Sequence, residues 1–184
     1  MLNYSFNNCV LSSYKKYDKM KTAIIYMSKH GTTEKVVEII SQHLAQYNTD
    51  IFNLREDKAP DINNYDFVII GGSIHAGMVQ KRIRQFCISN TDILLNKKVG
   101  LFLCCMEVGE KAKVQFANAF PEVLRQHAFY TGLMGGECLT DKMNFFERNL
   151  VKLVVGSPEK YPSLNDEAIE TFLKQLDGFV PEMN

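Results

Sequence analysis

The sequence predicts an α/β fold in which a five-stranded parallel sheet carries helices on both faces. Three observations predict it. Short, nearly unbroken apolar runs alternate along the chain with longer segments whose apolar residues recur at helical spacing. Unbroken apolar runs suit strands buried on both faces, which is the parallel case, rather than half-solvated antiparallel ones. Polar, glycine-bearing or hydroxyl-bearing segments follow the first, third and fourth strands. Such sheets bind their ligands outside the carboxyl ends of the strands, at a switch point, so these segments should gather at one end.

The elements follow in order. Thr22 to Met27 reads as the first strand, and Thr33 to Tyr47 as a helix with Val36, Val37, Ile40 and Leu44 on one face. Ile51 to Leu54 is a short strand. Asp61 to Tyr65 is a polar approach to Phe67-Val68-Ile69-Ile70, a strand that stops at Gly71-Gly72-Ser73. Val79 to Ser89 reads as a helix with Val79, Ile83, Phe86 and Cys87 inward. Lys98 to Cys105 is a buried strand, and Lys113 to His127 a helix that Pro121 is placed to bend. Phe129 to Met134 is the last strand, ending at Gly135-Gly136. Glu167 to Leu176 closes the fold as a helix with Ile169, Phe172, Leu173 and Leu176 at i, i+3, i+4 and i+7. Right-handed crossovers leave few topologies for this alternation.

Length and composition narrow the function. A chain of 184 residues, 46% hydrophobic, suits one domain with a sizeable core. The formal net charge is zero, which gives nucleic-acid binding no electrostatic footprint. No apolar stretch reaches the roughly 20 residues of a membrane span. Five cysteines at irregular spacing, with no CxxC, argue against a disulfide framework or a zinc site and for a reducing, cytoplasmic setting. Residues 1–19 lack the basic start and apolar run of a signal peptide. They read as a disordered extension or as the product of an upstream start, with Met20 as the natural one. A chain beginning at Met20 is then expected to fold and bind its ligand.

The most informative segment is Ser28-Lys29-His30-Gly31-Thr32-Thr33, between the first strand and its helix. Unpaired N–H groups converge at a helix N-terminus, and the helix dipole favours an anion there. Ser28, Thr32 and Thr33 add hydroxyl donors, and Gly31 lets the backbone come close. The same residues also make an ordinary N-cap, a role compatible with phosphate binding because it uses the same donors. Lys29 is open to two readings, a point charge for the phosphate or a solvated surface lysine.

In this order and spacing the residues resemble the flavodoxin family. Ser28 to Thr33 resembles its FMN phosphate loop, with neither GxxxxGK[ST] nor GxGxxG in its place. Gly71-Gly72-Ser73-Ile74-His75-Ala76-Gly77 is similar to the strand-three loop of one branch, the flavodoxin-like, menaquinone-dependent protoporphyrinogen oxidases. Asn144-Phe145-Phe146-Glu147-Arg148-Asn149-Leu150-Val151-Lys152-Leu153 looks like that branch's aromatic and basic insertion. The resemblance runs from about Met20 to the end of the chain, with the insertion at about 139–156. It implies a flavodoxin-like three-layer α/β/α sandwich, strand order 2-1-3-4-5, with FMN as cofactor.

The resemblance also distributes roles. Ser28, Lys29, His30, Gly31, Thr32 and Thr33 would hold the phosphate. Gly72, Ser73, Ile74, His75, Ala76 and Gly77 would lie against the isoalloxazine ring, with Gly77 permitting a peptide rearrangement when N5 is protonated. His75 is the candidate general acid or base, against the plainer reading of a structural loop histidine. Cys105, Met106 and Glu107 would border the outer face, Met106 packing where flavodoxins often place Tyr. Adjacent Cys104 and Cys105 read as small buried side chains at a strand end. Neighbours on a strand point to opposite faces, which argues against their disulfide. The helix expected over Asp141 to Val155 carries Met143, Phe146, Leu150, Leu153 and Val154 on one face, with Lys142, Arg148 and Lys152 nearby. It packs on its own core, or it offers a surface to a quinone, to a porphyrin's carboxylates or to membrane headgroups through about 142–155. Flotation with anionic vesicles at low salt separates these readings.

Three functions follow. One is an FMN oxidoreductase of the protoporphyrinogen type in heme biosynthesis, passing electrons to menaquinone. Another is an electron-transfer flavodoxin shuttling between redox proteins, although such shuttles are strongly acidic and this chain is neutral. The last is a binding module that keeps only the fold.

Overall fold

An apolar run can bury both its faces only if helices cover both sides of the sheet it joins, and the computed structural model of the protein has that arrangement. It describes residues 20–29, 31–75, 77–137 and 163–179. In chain order the elements are β1 (Lys21–Tyr26), α1 (Thr32–His43), β2 (Asn48–Asn53), β3 (Phe67–His75), β4 (Met78–Val79), α2 (Lys81–Ser89), α3 (Thr91–Leu94), β5 (Lys98–Cys104), α4 (Gly109–Ala119), α5 (Glu122–His127), β6 (Tyr130–Leu133) and α6 (Asp166–Asp177). The sheet runs β2-β1-β3-β5-β6, and all of these pairs are parallel. With the short antiparallel β4 set aside, this is the 2-1-3-4-5 order that the resemblance implies. The fold is the flavodoxin-like α/β sandwich.

Strand alternation divides the core. Ala23, Ile25, Val68, Ile70, Val99, Leu101 and Leu103 face α2 and α5, where Ile83, Phe86 and Leu124 meet them. Ile24, Tyr26, Ile69, Phe102 and Cys104 face α1 and α6, against Val36, Val37, Ile40 and Phe172. Full burial of one such side chain contributes about 1.5–3 kcal/mol, so these two layers hold the sheet and fix where its strand ends lie.

Several expected boundaries move. The third strand does not stop at Gly71-Gly72-Ser73; β3 continues to His75, with Gly71 paired to Phe102, Gly72 to Leu103 and Ser73 to Cys104. These glycines belong to the strand because neighbours fill the space above them. A Cβ on Gly71 would lie 2.0 Å from Phe102 Cζ. Val79, expected in a helix, instead pairs with Ile74 in β4, and α2 begins only at Lys81. The helix expected over Lys113 to His127 is two helices, because Phe120 and Pro121 are extended, and the first of them starts early, at Gly109. Pro121, with no N–H, opens α5 as its N-cap. α1 ends at His43 rather than Tyr47, β2 is longer than Ile51 to Leu54, and α3 was not anticipated. The expected extension at 1–19 and the insertion at 139–156 lie outside the described residues.

Candidate functional site

The carboxyl ends of β1, β3, β5 and β6 point the same way, so four connecting segments converge there. The first leaves β1. Ser28 is buried, and its Oγ accepts the Gly31 N–H at 3.0 Å, closing the loop on itself. Gly31 is the N-cap of α1 with φ at +98°, a left-handed conformation that a side chain would strain by about 1–2 kcal/mol. Having no side chain, it makes no side-chain cap, the arrangement in which a helix N-terminus can receive an anion. Lys29 is exposed, and Arg55 Nη1 donates to its carbonyl at 3.2 Å.

The two threonines behave differently. Thr32 Oγ1 donates to the Glu137 carbonyl at 3.2 Å. A hydroxyl has one proton, so while that bond stands Thr32 cannot also donate through its side chain to a phosphate. Thr33 is 1% exposed, and its Oγ1 meets no partner at hydrogen-bond geometry. It lies beside the Cys104 thiol, which burial pushes up to about 12, the Thr33 hydroxyl opposing that rise.

The second segment is the end of β3 and its hairpin into β4. Gly72 is buried, and Ser73, Ile74 and His75 are half-buried at the strand end. Ser73 Oγ and His75 Nε2 lie 3.5 Å apart. His75 pairs with Met78 across the hairpin, and Gly77 occupies its turn with positive φ. Gln80, a residue the sequence reading did not single out, fixes this segment. Its Oε1 accepts the Ser73 N–H at 3.0 Å, while its Nε2 donates to the Met27 carbonyl at 3.2 Å and to Ser73 Oγ. One amide therefore ties the exit of β1 to the exit of β3.

The third segment follows β5. Cys105 is buried, its N–H donates to the Gly135 carbonyl at 2.8 Å, and its Sγ lies 3.6 Å from the Glu107 carbonyl. Burial raises the Cys105 thiol as well, and both Cys104 and Cys105 are free thiols. Thiols held protonated in this way are poor nucleophiles, in keeping with the structural reading. Met106 and Glu107 are exposed, and Lys111 pairs with Glu107 at 3.9 Å.

The fourth segment, Gly135 to Glu137, follows β6 and was also missed. The signal existed: every parallel strand ends at the same edge, so the polar turn after the last strand belongs with the other three. Its Glu137 reaches α1, where the carboxylate pairs with Lys35 Nζ at 2.6 Å. For Gln80 and Arg55 no comparable signal existed, since their partners Met27 and Lys29 lie 53 and 26 residues away. His30 and Ala76 lie outside the described residues. No helix among the described residues is long and apolar enough to cross a membrane.

The residues of the first segment fit a phosphomonoester. A glycine N-cap without a side-chain cap and the buried Thr33 hydroxyl supply donors, and the nearby Glu137 carboxylate, which would repel an anion, is paired with Lys35. At the neighbouring strand end Gln80 holds Ser73 in place, beside Ile74 and His75.

Comparisons with known proteins accord with this geometry. Residues 23–165 match a family model described as a flavodoxin domain. The chain is 21% identical over 172 residues to protoporphyrinogen IX dehydrogenase [quinone] of Escherichia coli strain K12, covering 89% of this chain and 94% of that protein. Among solved structures it resembles oxidised flavodoxin 1 of Bacillus cereus, with TM-score 0.53 and 18% identity over 89% of this chain and 99% of the other. The two-electron reduced flavodoxin of Megasphaera elsdenii gives TM-score 0.51 and 17% identity, over 83% and 98% of the two chains.

Proposed function

Because the chain belongs to the flavodoxin domain family, we propose that it is an FMN-dependent oxidoreductase that withdraws hydrogen from a porphyrinogen and delivers it to a quinone. The family's cofactor is FMN, and flavodoxin-like proteins transfer electrons to redox partners. The carrying observation is the turn out of β1, where Gly31 caps α1 without a side chain. The porphyrinogen and the quinone are taken from the Escherichia coli dehydrogenase, whose similarity extends over 94% of its length.

FMN, when bound, accepts an electron pair from one partner and returns electrons to another, so it couples a hydrogen donor to a quinone acceptor. The protein's part is position, electrostatics and proton handling. The amides of the first turn of α1 and the Ser28 and Thr33 hydroxyls would hold the phosphate, with Lys29 adding positive charge at its edge. Ser73 and Ile74 would border the ring, and Gln80 holds Ser73 at that strand end. His75 stands at the strand end as the residue to carry a proton to or from the reacting partner, within reach of Ser73 Oγ at 3.5 Å. Met106, 47% exposed, offers an adaptable apolar surface at the ring's outer face. In the net reaction the porphyrinogen loses electrons and protons together, and the quinone gains both to become the quinol.

Anaerobic mixing of the FMN-loaded protein with protoporphyrinogen IX tests this reading. The flavin absorbance should bleach, porphyrin fluorescence should appear, and a quinone analogue should restore the oxidised spectrum. A flavin that stays oxidised with protoporphyrinogen, yet is reduced by a reductase partner, assigns the chain to electron shuttling instead.

A further inference from the structure

We propose that Glu137 is a positioning residue for the FMN phosphate, acting as a latch that straps the segment after β6 onto the phosphate loop. The inference rests on the reading of that loop as an FMN site. Three observations carry it. Glu137 makes two separate bonds to α1: its carbonyl accepts from Thr32 Oγ1 at 3.2 Å and its carboxylate pairs with Lys35 Nζ at 2.6 Å. Gly31 and Lys35 are joined by a hydrogen bond from Lys35 N to Gly31 O at 2.9 Å. Because i and i+4 share a helix face, the pair sits over the N-cap itself. The strap is anchored at its other end too. Cys105 N donates to Gly135 O at 2.8 Å, and Gly136 lies so close to the β5 exit that a Cβ there would come within 2.8 Å of the Cys105 carbonyl oxygen.

The strap therefore connects the segment beside the flavin ring to the loop beside the phosphate. It keeps the Thr32 hydroxyl turned toward Glu137, so that Thr32 serves the anion through its amide. It also explains how a carboxylate is tolerated beside a phosphate dianion, since Lys35 neutralises it. Charge alone makes the opposite prediction. An acidic side chain near a dianion weakens binding, so its removal would tighten the complex. The sign of the effect therefore separates a latch from a bystander charge.

The experiment measures release of FMN and of riboflavin, which lacks the phosphate, from the full chain by flavin fluorescence. Glu137→Ala and Lys35→Ala should each speed FMN release about threefold, the scale of a partly exposed ion pair, and leave riboflavin release unchanged. The charge swap Glu137→Lys with Lys35→Glu should return FMN release to within about twofold of the wild type. The added loss in Glu137→Ala should shrink in high salt. FMN held as tightly or more tightly by Glu137→Ala, equal changes for FMN and riboflavin, or a swap no better than the single variants would each overturn the latch while leaving the FMN site standing. A wild-type protein that binds riboflavin as well as FMN would overturn the phosphate-loop reading and the latch together.

Discussion

Thr33 is the residue whose burial asks most for an explanation, because it is 1% exposed and its hydroxyl has only the Cys104 thiol beside it, with no partner at full hydrogen-bond geometry. An unsatisfied buried hydroxyl costs about 1–3 kcal/mol, whereas an apolar group of the same shape costs little. Thr33→Val is therefore expected to raise the stability of the FMN-free protein by about 1 kcal/mol, read as a higher melting temperature. The same variant should bind FMN more weakly in a titration if the hydroxyl is kept for the phosphate, and a variant that gains neither stability nor loses affinity defeats this account. Sequence could nominate Ser28, Gly31, Thr32 and Thr33 because capping chemistry is local. It could not distinguish the roles of the two threonines. Thr32 turns toward Glu137, 105 residues away, while Thr33 turns toward the buried Cys104.

Among the elements, β3 shows how a strand can read as ended when it is not. Gly71 and Gly72 look like turn residues, yet both pair with β5, and Phe102 occupies the space that a Gly71 side chain would need. Gly71→Ala is expected to destabilise the protein by about 2–3 kcal/mol through overpacking, measured by urea unfolding. Combining it with Phe102→Leu should cost less than the two singles added, because the smaller side chain makes room for the new methyl. A purely additive pair would show that the glycine serves another purpose. The short β4 has a similar origin. Val79 reads as the first apolar position of a helix, and only its pairing with Ile74 draws it into the sheet, leaving Gln80 to cap α2 and bridge two strand ends.

At the scale of the whole molecule, the opposite end of the sheet is tied by Lys21, Asp50 and Tyr65. Lys21 Nζ pairs with Asp50 at 2.8 Å, and Tyr65 Oη donates to the same carboxylate at 2.8 Å, joining β1, β2 and the approach to β3. The hydrogen bond from Lys21, and then that from Tyr65, holds the Asp50 carboxyl below its ordinary range. A depressed native value means that the native state binds this proton less readily than the unfolded chain does. Its contribution is therefore complete above the ordinary carboxylate range and is lost as the pH falls through the native value. Asp50→Asn should melt below the wild type at neutral pH, with the gap closing as the pH falls through the lowered native value of the carboxyl. A gap that persists in acid would point to packing rather than charge. The alternation of apolar runs and helical faces determined the α/β class and the parallel sheet, and helix-end chemistry nominated the first loop as an anion cradle, because burial period and helix-end chemistry are properties of neighbours in the chain. Only the tertiary structure decided that β3 continues through its glycines, that Gln80 joins two strand ends, and that the turn after β6 fastens onto α1. Each of those depends on which side chains arrive from distant positions to fill space or to satisfy a donor, and such partners leave no periodic mark on the segments that receive them.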